Sequence, residues 1–279
     1  MKIDAHQHFW IYNPVEYAWM KEDMDLLKRN FLPPDLEPLL LEHGFSGSIA
    51  VQARQTEQET KFLLELAKKF PIIKGIVGWV DLRSPDLENS LKKLIRNKII
   101  KGIRHVIHDE PDPDFMLGKE FLRGIETLQN YDLAYDILIK PQHLTNTIKL
   151  VGMFPDLPFV VDHIAKPNIK DHIMFPWKVL IRKLAGYQNV FCKVSGLVTE
   201  ANRTNWQEED FYPYLDVLFN AFGVDRIMIG SDWPVCTVAG SYGEVMNIVK
   251  KYIQDFDVND QRKILGGNCA QFYRIDDNI

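Results

Sequence analysis

Eight short apolar runs, each followed by a stretch of helical periodicity, constrain this chain more than any other feature of it. The runs lie at residues 2–6, 47–54, 72–82, 101–108, 133–140, 158–165, 190–197 and 226–232. Helical spacing of apolar residues predicts helices over 34–43, 57–70, 85–97, 118–130, 141–153, 174–186, 211–222 and 241–252. Strands alternating with helices imply βαβ units and a parallel sheet. Runs such as Phe159-Val160-Val161 and Ile227-Met228-Ile229 are apolar throughout, as expected of strands covered on both faces. No Gly-rich dinucleotide turn follows the first strand and no P-loop occurs anywhere, which favours a closed (β/α)8 TIM barrel over a doubly wound sheet. Residues 1–279 read as a single domain, since no polar linker or composition shift divides them. The segment 9–46, rich in aromatics, is a long loop after the first strand and is expected to cover part of the barrel mouth.

Composition narrows the function. The net charge of -5 offers no basic footprint for nucleic acid or acidic membranes. Met1 is followed directly by a strand-like run and no apolar stretch approaches 18 residues, so a cytoplasmic location is expected. Cys192, Cys236 and Cys269 are odd in number and widely spaced, which predicts reduced, buried thiols rather than disulfides or a CxxC metal site.

In such a barrel the chemistry sits at the C-terminal ends of the strands. His6 and His8, separated by one residue, project to the same side there and suit a metal ion or an anionic oxygen. The other strand ends bring Gln52 and Arg54, Trp79 and Asp81, Arg104, His105 and His108, Asp162, His163 and Lys166, Lys193 and Ser195, and Ser231, Asp232 and Trp233. So many ionisable groups on one face cost several kcal/mol unless they pair, bind metal or meet solvent in a cleft. Asp232, after the last strand, is placed to act as a base near the histidine pair. Strand parity forbids Arg104 and His105 from both pointing inward, and either assignment remains open at this point. Trp10, Trp79, Trp206 and Trp233 could serve as walls for the apolar faces of sugar rings, whereas His43, His143 and His172 read as structural or surface residues.

The strings Ile-Asp-Ala-His-Gln-His-Phe-Trp (3–10), Gly-Trp-Val-Asp-Leu (78–82), Lys-Gly-Ile-Arg-His (101–105), Val-Asp-His-Ile-Ala-Lys-Pro (161–167), Lys-Val-Ser-Gly-Leu (193–197) and Ile-Gly-Ser-Asp-Trp-Pro (229–234) occur in order along the chain. Together they resemble the amidohydrolase superfamily, and within it the sugar-lactonase branch. That resemblance implies hydrolytic opening of a sugar-acid lactone of the L-fucono or L-rhamnono type to the aldonate. A decarboxylase, or a hydrolase of an aromatic-derived lactone or carboxylate, is the alternative on the same skeleton. His6, His8, His163 and Asp232 match the positions that hold a divalent metal, zinc here, if one is bound; the branch depends on metal weakly or not at all. The resemblance further implies Asp232, His163 and His105 as catalytic residues, and Arg54, Trp79, Arg104, Lys166 and Trp233 as substrate-binding ones. The expected partner is a small sugar lactone, in an enzyme that could be a homodimer.

Overall fold

The computed structural model describes residues 1–275, in which eight parallel strands follow one another around a barrel in sequence order. They are β1 (Ile3–Gln7), β2 (Gly47–Val51), β3 (Ile73–Gly78), β4 (Ile100–Val106), β5 (Ala134–Leu138), β6 (Phe159–Val161), β7 (Val190–Val194) and β8 (Ile227–Ile229). The ring closes just beyond β8. Gln7 bridges Trp233 in parallel, His8 N donates to Trp233 O at 2.7 Å, and Asp232 N donates to His6 O at 2.8 Å. The (β/α)8 TIM barrel expected from the alternation is therefore the fold.

Each predicted helix is present, shifted or trimmed by a few residues at its ends: α1 (Pro33–Glu42), α2 (Glu57–Ala67), α3 (Leu87–Leu94), α4 (Lys119–Leu128), α5 (Leu144–Met153), α6 (Trp177–Ala185), α7 (Tyr212–Phe222) and α8 (Tyr242–Tyr252). The starts follow local chemistry. Thr56 caps α2 by accepting from Glu59 N, and Ser241 and Glu244 form a reciprocal capping box on α8.

Several strands stop earlier than the apolar runs predict. β6 ends at Val161 and β8 at Ile229, because the residues that follow turn out of the ladder toward the barrel mouth. Residues 253–275, which the periodicity leaves unassigned, form α9 (Val258–Arg262), a π turn and α10 (Asn268–Phe272). This segment plugs the floor: Cys269, Phe272, Tyr273 and Ile275 pack against Ile3, Ile49, Val77, Val160 and other strand residues in a core separate from the strand–helix layer. The approach is close. A Cβ on Gly266 would stand 2.5 Å from Met1 O, so only glycine lets the segment seat there.

Candidate active site

The barrel mouth holds a cavity of about 340 Å³, within the ordinary range for small-molecule sites. His8, Arg104, His163, Lys166 and Asp232 line its strand side. Trp19, Lys21 and Met24 of the 9–46 segment form the opposing wall, so that segment does cover part of the mouth.

Two left-handed turns build the reactive corner. After β6, His163, Ile164, Ala165 and Lys166 all have positive φ, between 49° and 63°, without a glycine among them. Each such residue costs about 1–2 kcal/mol, and strain of this kind is retained where it places functional groups. Here the turn delivers His163 to the cluster and Lys166 to the cavity wall, and Trp177 Nε1 pins it by donating to Ile164 O at 2.7 Å. Asp232 is also left-handed (φ 59°). Gly196 (φ 60°) leaves the space the pair needs, since a Cβ there would lie 2.6 Å from His163 Nδ1 and 3.2 Å from Asp232 Oδ2.

Polar contacts at the far side of each imidazole orient the ring so that Nε2 faces the cavity. His8 Nδ1 donates to Val51 O at 2.8 Å, His6 Nδ1 lies 3.2 Å from Asp162 Oδ1, and His163 Nδ1 lies 2.9 Å from Ser195 Oγ. In the tautomer with the proton on Nδ1, each Nε2 offers a lone pair toward Asp232. His8 Nε2 is 3.2 Å from Asp232 Oδ1, the His6 and His163 Nε2 atoms are each 3.9 Å from it, and the His6 and His8 Nε2 atoms are 3.3 Å apart.

Acceptors facing acceptors call for a cation or a shared proton between them. Tetrahedral zinc with bonds near 2.0–2.1 Å separates its ligands by about 3.3 Å, and, while His163 groups instead with His6 and Asp162, His6, His8 and Asp232 bring ligand atoms close enough together to fit such an ion. One group competes for it. Arg104 NH1 stands 3.3 Å from the single lone pair of His6 Nε2, anchored by Asp162 Oδ2 at 3.0 Å and by the Gln52 carbonyl.

Charge beneath the cluster is balanced without solvent. Lys193 Nζ contacts Asp136 Oδ2 at 2.5 Å and Asp162 Oδ1 at 3.1 Å, all three residues being fully buried. Burial opposes charge on Asp162, but Lys193, His6 and Arg104 reverse it and hold that carboxyl well below the usual range. Burial likewise opposes charge on Asp232, and His163, His8 and His6 more than offset it, leaving an ionised carboxylate. Burial pushes His163 down to about 4, so it stands neutral beside Asp232.

The remaining residues expected at the site divide. Arg104 points inward, so parity turns His105 outward. Its ring stacks on Phe115 at 4.9 Å, its Nε2 meets Glu110 Oε1 at 2.6 Å and its Nδ1 accepts from Trp79 Nε1, which corrects the expectation that His105 and Trp79 face the cavity. Arg54 is taken up by Glu16 at 2.5 Å, and Trp233 packs edge-on against Phe31 and Phe9; neither lines the cavity. Lys166 does, paired with Glu200 at 2.7 Å. Lys140, the last residue of the fifth apolar run, also lines it, as do Glu200 and Arg203, which carry no strand-end signal in the sequence. Asp136 was legible in principle, as a charge in the middle of the apolar run Ala-Tyr-Asp-Ile-Leu.

A family model described as Amidohydrolase matches residues 3–275. The chain belongs to the amidohydrolase family. Two L-fucono-1,5-lactonases, from Burkholderia ambifaria and Burkholderia multivorans, are 36% and 37% identical to it, each over 99% of this chain and 96% of the relative. A crystal structure of an amidohydrolase from Burkholderia multivorans with bound zinc superposes with a TM-score of 0.96 at 37% identity, covering 99% of this chain and all of that one. A 2,6-dihydroxybenzoate decarboxylase from Rhizobium, 13% identical with a TM-score of 0.67, shares the barrel alone. Among the described residues no helix is long and apolar enough to cross a membrane.

Proposed function

We propose that this amidohydrolase opens the ring of a sugar-acid lactone of the L-fucono or L-rhamnono type, giving the aldonate. The observation that carries the reading is the likeness to two L-fucono-1,5-lactonases over nearly the whole of both chains. The site supplies the chemistry. Asp232, ionised and buried among three imidazoles, accepts the proton of an attacking water. A carboxylate is a weak base, but a lactone is an activated ester and asks little of it. Oxygen charge develops on the carbonyl as water adds, and the Arg104 guanidinium, 3.3 Å from His6 Nε2, is a cation placed beside it. Zinc held by His6, His8, His163 and Asp232 would add Lewis-acid polarisation of that carbonyl. Lys166 and Lys140, which line the same cavity, are placed to orient sugar hydroxyls. The reading carries with it a cytoplasmic enzyme acting on a small diffusible lactone.

Ring opening near neutral pH releases a proton, so a pH-indicator screen of aldonolactones that varies ring size and each stereocentre tests the proposal. Turnover is expected on lactones with the L-fucono or L-rhamnono configuration. No turnover on any aldonolactone, with carbon dioxide evolved from hydroxybenzoates instead, would overturn it in favour of a decarboxylase.

A further inference from the structure

The C-terminal plug sends one strong hydrogen-bonding group up into the barrel. Cys269, Phe272 and Ile275 fill the floor with apolar bulk, but Tyr273, 2% exposed, donates its hydroxyl to Asp136 Oδ2 at 2.7 Å. Burial beside Asp136 and Asp162 holds that phenol proton on, so Tyr273 is a donor at every working pH. The same carboxylate oxygen receives Lys193 Nζ, which also stands 5.4 Å over the Tyr273 ring. Lys193 Nζ reaches Asp162 Oδ1 at 3.1 Å and lies 3.3 Å from His6 Nδ1, while that same Asp162 oxygen faces His6 Nδ1 at 3.2 Å. A continuous path of buried polar contacts therefore joins the last helix to the first histidine of the reactive cluster.

Lys193 and Asp162 make opposite demands on His6. An ammonium is a donor only, so a lysine drawn toward Nδ1 would favour the tautomer with the proton on Nε2; Asp162 accepts only, and favours the proton on Nδ1. Nε2 can present a lone pair to the cavity only in the second case. What decides the balance is how firmly Asp136 holds Lys193 back. Asp136 Oδ1 has no hydrogen-bond partner, so Oδ2 and its two donors, Lys193 and Tyr273, carry the whole arrangement.

We infer that Tyr273 is a positioning residue for the reaction at the opposite end of the barrel. Its hydroxyl fixes Asp136, Asp136 keeps Lys193 from closing further than 3.3 Å on His6 Nδ1, and the Nδ1 proton thereby stays directed at Asp162 with the Nε2 lone pair directed at Asp232. The role in turnover rests on the lactonase reading, while the tautomer of His6 does not.

Tyr273→Phe keeps the ring and deletes the hydroxyl. On the best lactone of the screen, kcat should fall about tenfold with KM within about twofold of wild type and the melting temperature within a few degrees. Nitrogen-15 histidine NMR of the purified full-length protein should show His6 shifting from the Nδ1–H toward the Nε2–H tautomer. Tyr273→Leu, which also loses ring packing, should melt lower and show the same His6 shift. A wild-type His6 signal in Tyr273→Phe, or a kcat that falls only in step with thermal stability, would overturn the inference. If wild type itself turns over no lactone, the functional reading fails while the NMR comparison still decides the positioning role.

Discussion

His8 Nε2 lies 3.2 Å from Asp232 Oδ1 while His8 Nδ1 donates to Val51 O at 2.8 Å. The backbone of β2 thus fixes the ring so that its lone pair meets the carboxylate at the end of the barrel's closing strand. Replacing His8 by Phe keeps the ring's bulk and removes both contacts. We expect kcat to drop about 100-fold, the scale on which single stabilising groups act at such sites, with the circular dichroism spectrum unchanged. A loss below threefold would show that His8 is packing.

A metal ion held at the cluster would compete with Arg104 for the His6 Nε2 lone pair. Removing the guanidinium in Arg104→Met should tighten zinc binding at least about tenfold in a competitive chelator titration, because His6 Nε2 is then free and a nearby positive charge is gone. Arg104→Lys separates the two causes by keeping charge while losing the fork that reaches His6 Nε2, Asp162 and the Gln52 carbonyl. If both variants tighten zinc, the lone pair is what Arg104 guards. Unchanged affinity in Arg104→Met would contradict the competition.

His105 faces the helical layer, and its substitution should register in stability before activity. His105→Ala deletes the stack on Phe115 and the bonds to Glu110 and Trp79. A cost of about 2–3 kcal/mol is expected in urea unfolding, with KM for the lactone within a few-fold of wild type. A variant of wild-type stability that has lost turnover would return His105 to the site.

Glu59 links the 9–46 segment to the loop after β2: Oε2 accepts from Ala53 N and Arg54 N, and Oε1 from the Tyr17 hydroxyl. Burial, opposed by the Arg54 and Ala53 amides, raises this carboxyl from 4.5 to about 7. Between those values the folded protein keeps a proton the unfolded chain has released. Stability therefore falls as pH rises from 4.5 through 7, and the full penalty, about 3 kcal/mol, is present above 7. Glu59→Gln, which can still accept both amides, should flatten that slope in urea midpoints measured from pH 5 to 8.5; an unaltered slope would assign it to other groups.

The barrel was legible because strands covered on both faces read as unbroken apolar runs and the intervening periodicity is strong. Strand ends were not, since nothing in His-Ile-Ala-Lys announces four left-handed residues without a glycine. Facing was legible where residues alternate, as at His6 and His8, and undecidable where polar neighbours adjoin, as at Arg104 and His105. Arg54 and Trp233 sit at strand ends by position and still turn to Glu16 and Phe31, because tertiary partners outside the strand capture them. Asp136 shows in the sequence only as a charge inside an apolar run and Lys193 only as a polar strand end, and their pairing is visible only once β5 and β7 share one barrel interior. The floor plug, split into short helices and a π turn, carries no long period to detect.

In the proposed reaction Asp232 is the base that opens the sugar lactone. Proton release from the best aldonolactone, followed for wild type and Asp232→Asn with and without chelator, tests it most directly. Wild type should turn over, and Asp232→Asn should lose at least about 100-fold in kcat while unfolding cooperatively. An Asp232→Asn protein with near wild-type turnover would rule out Asp232 as that base.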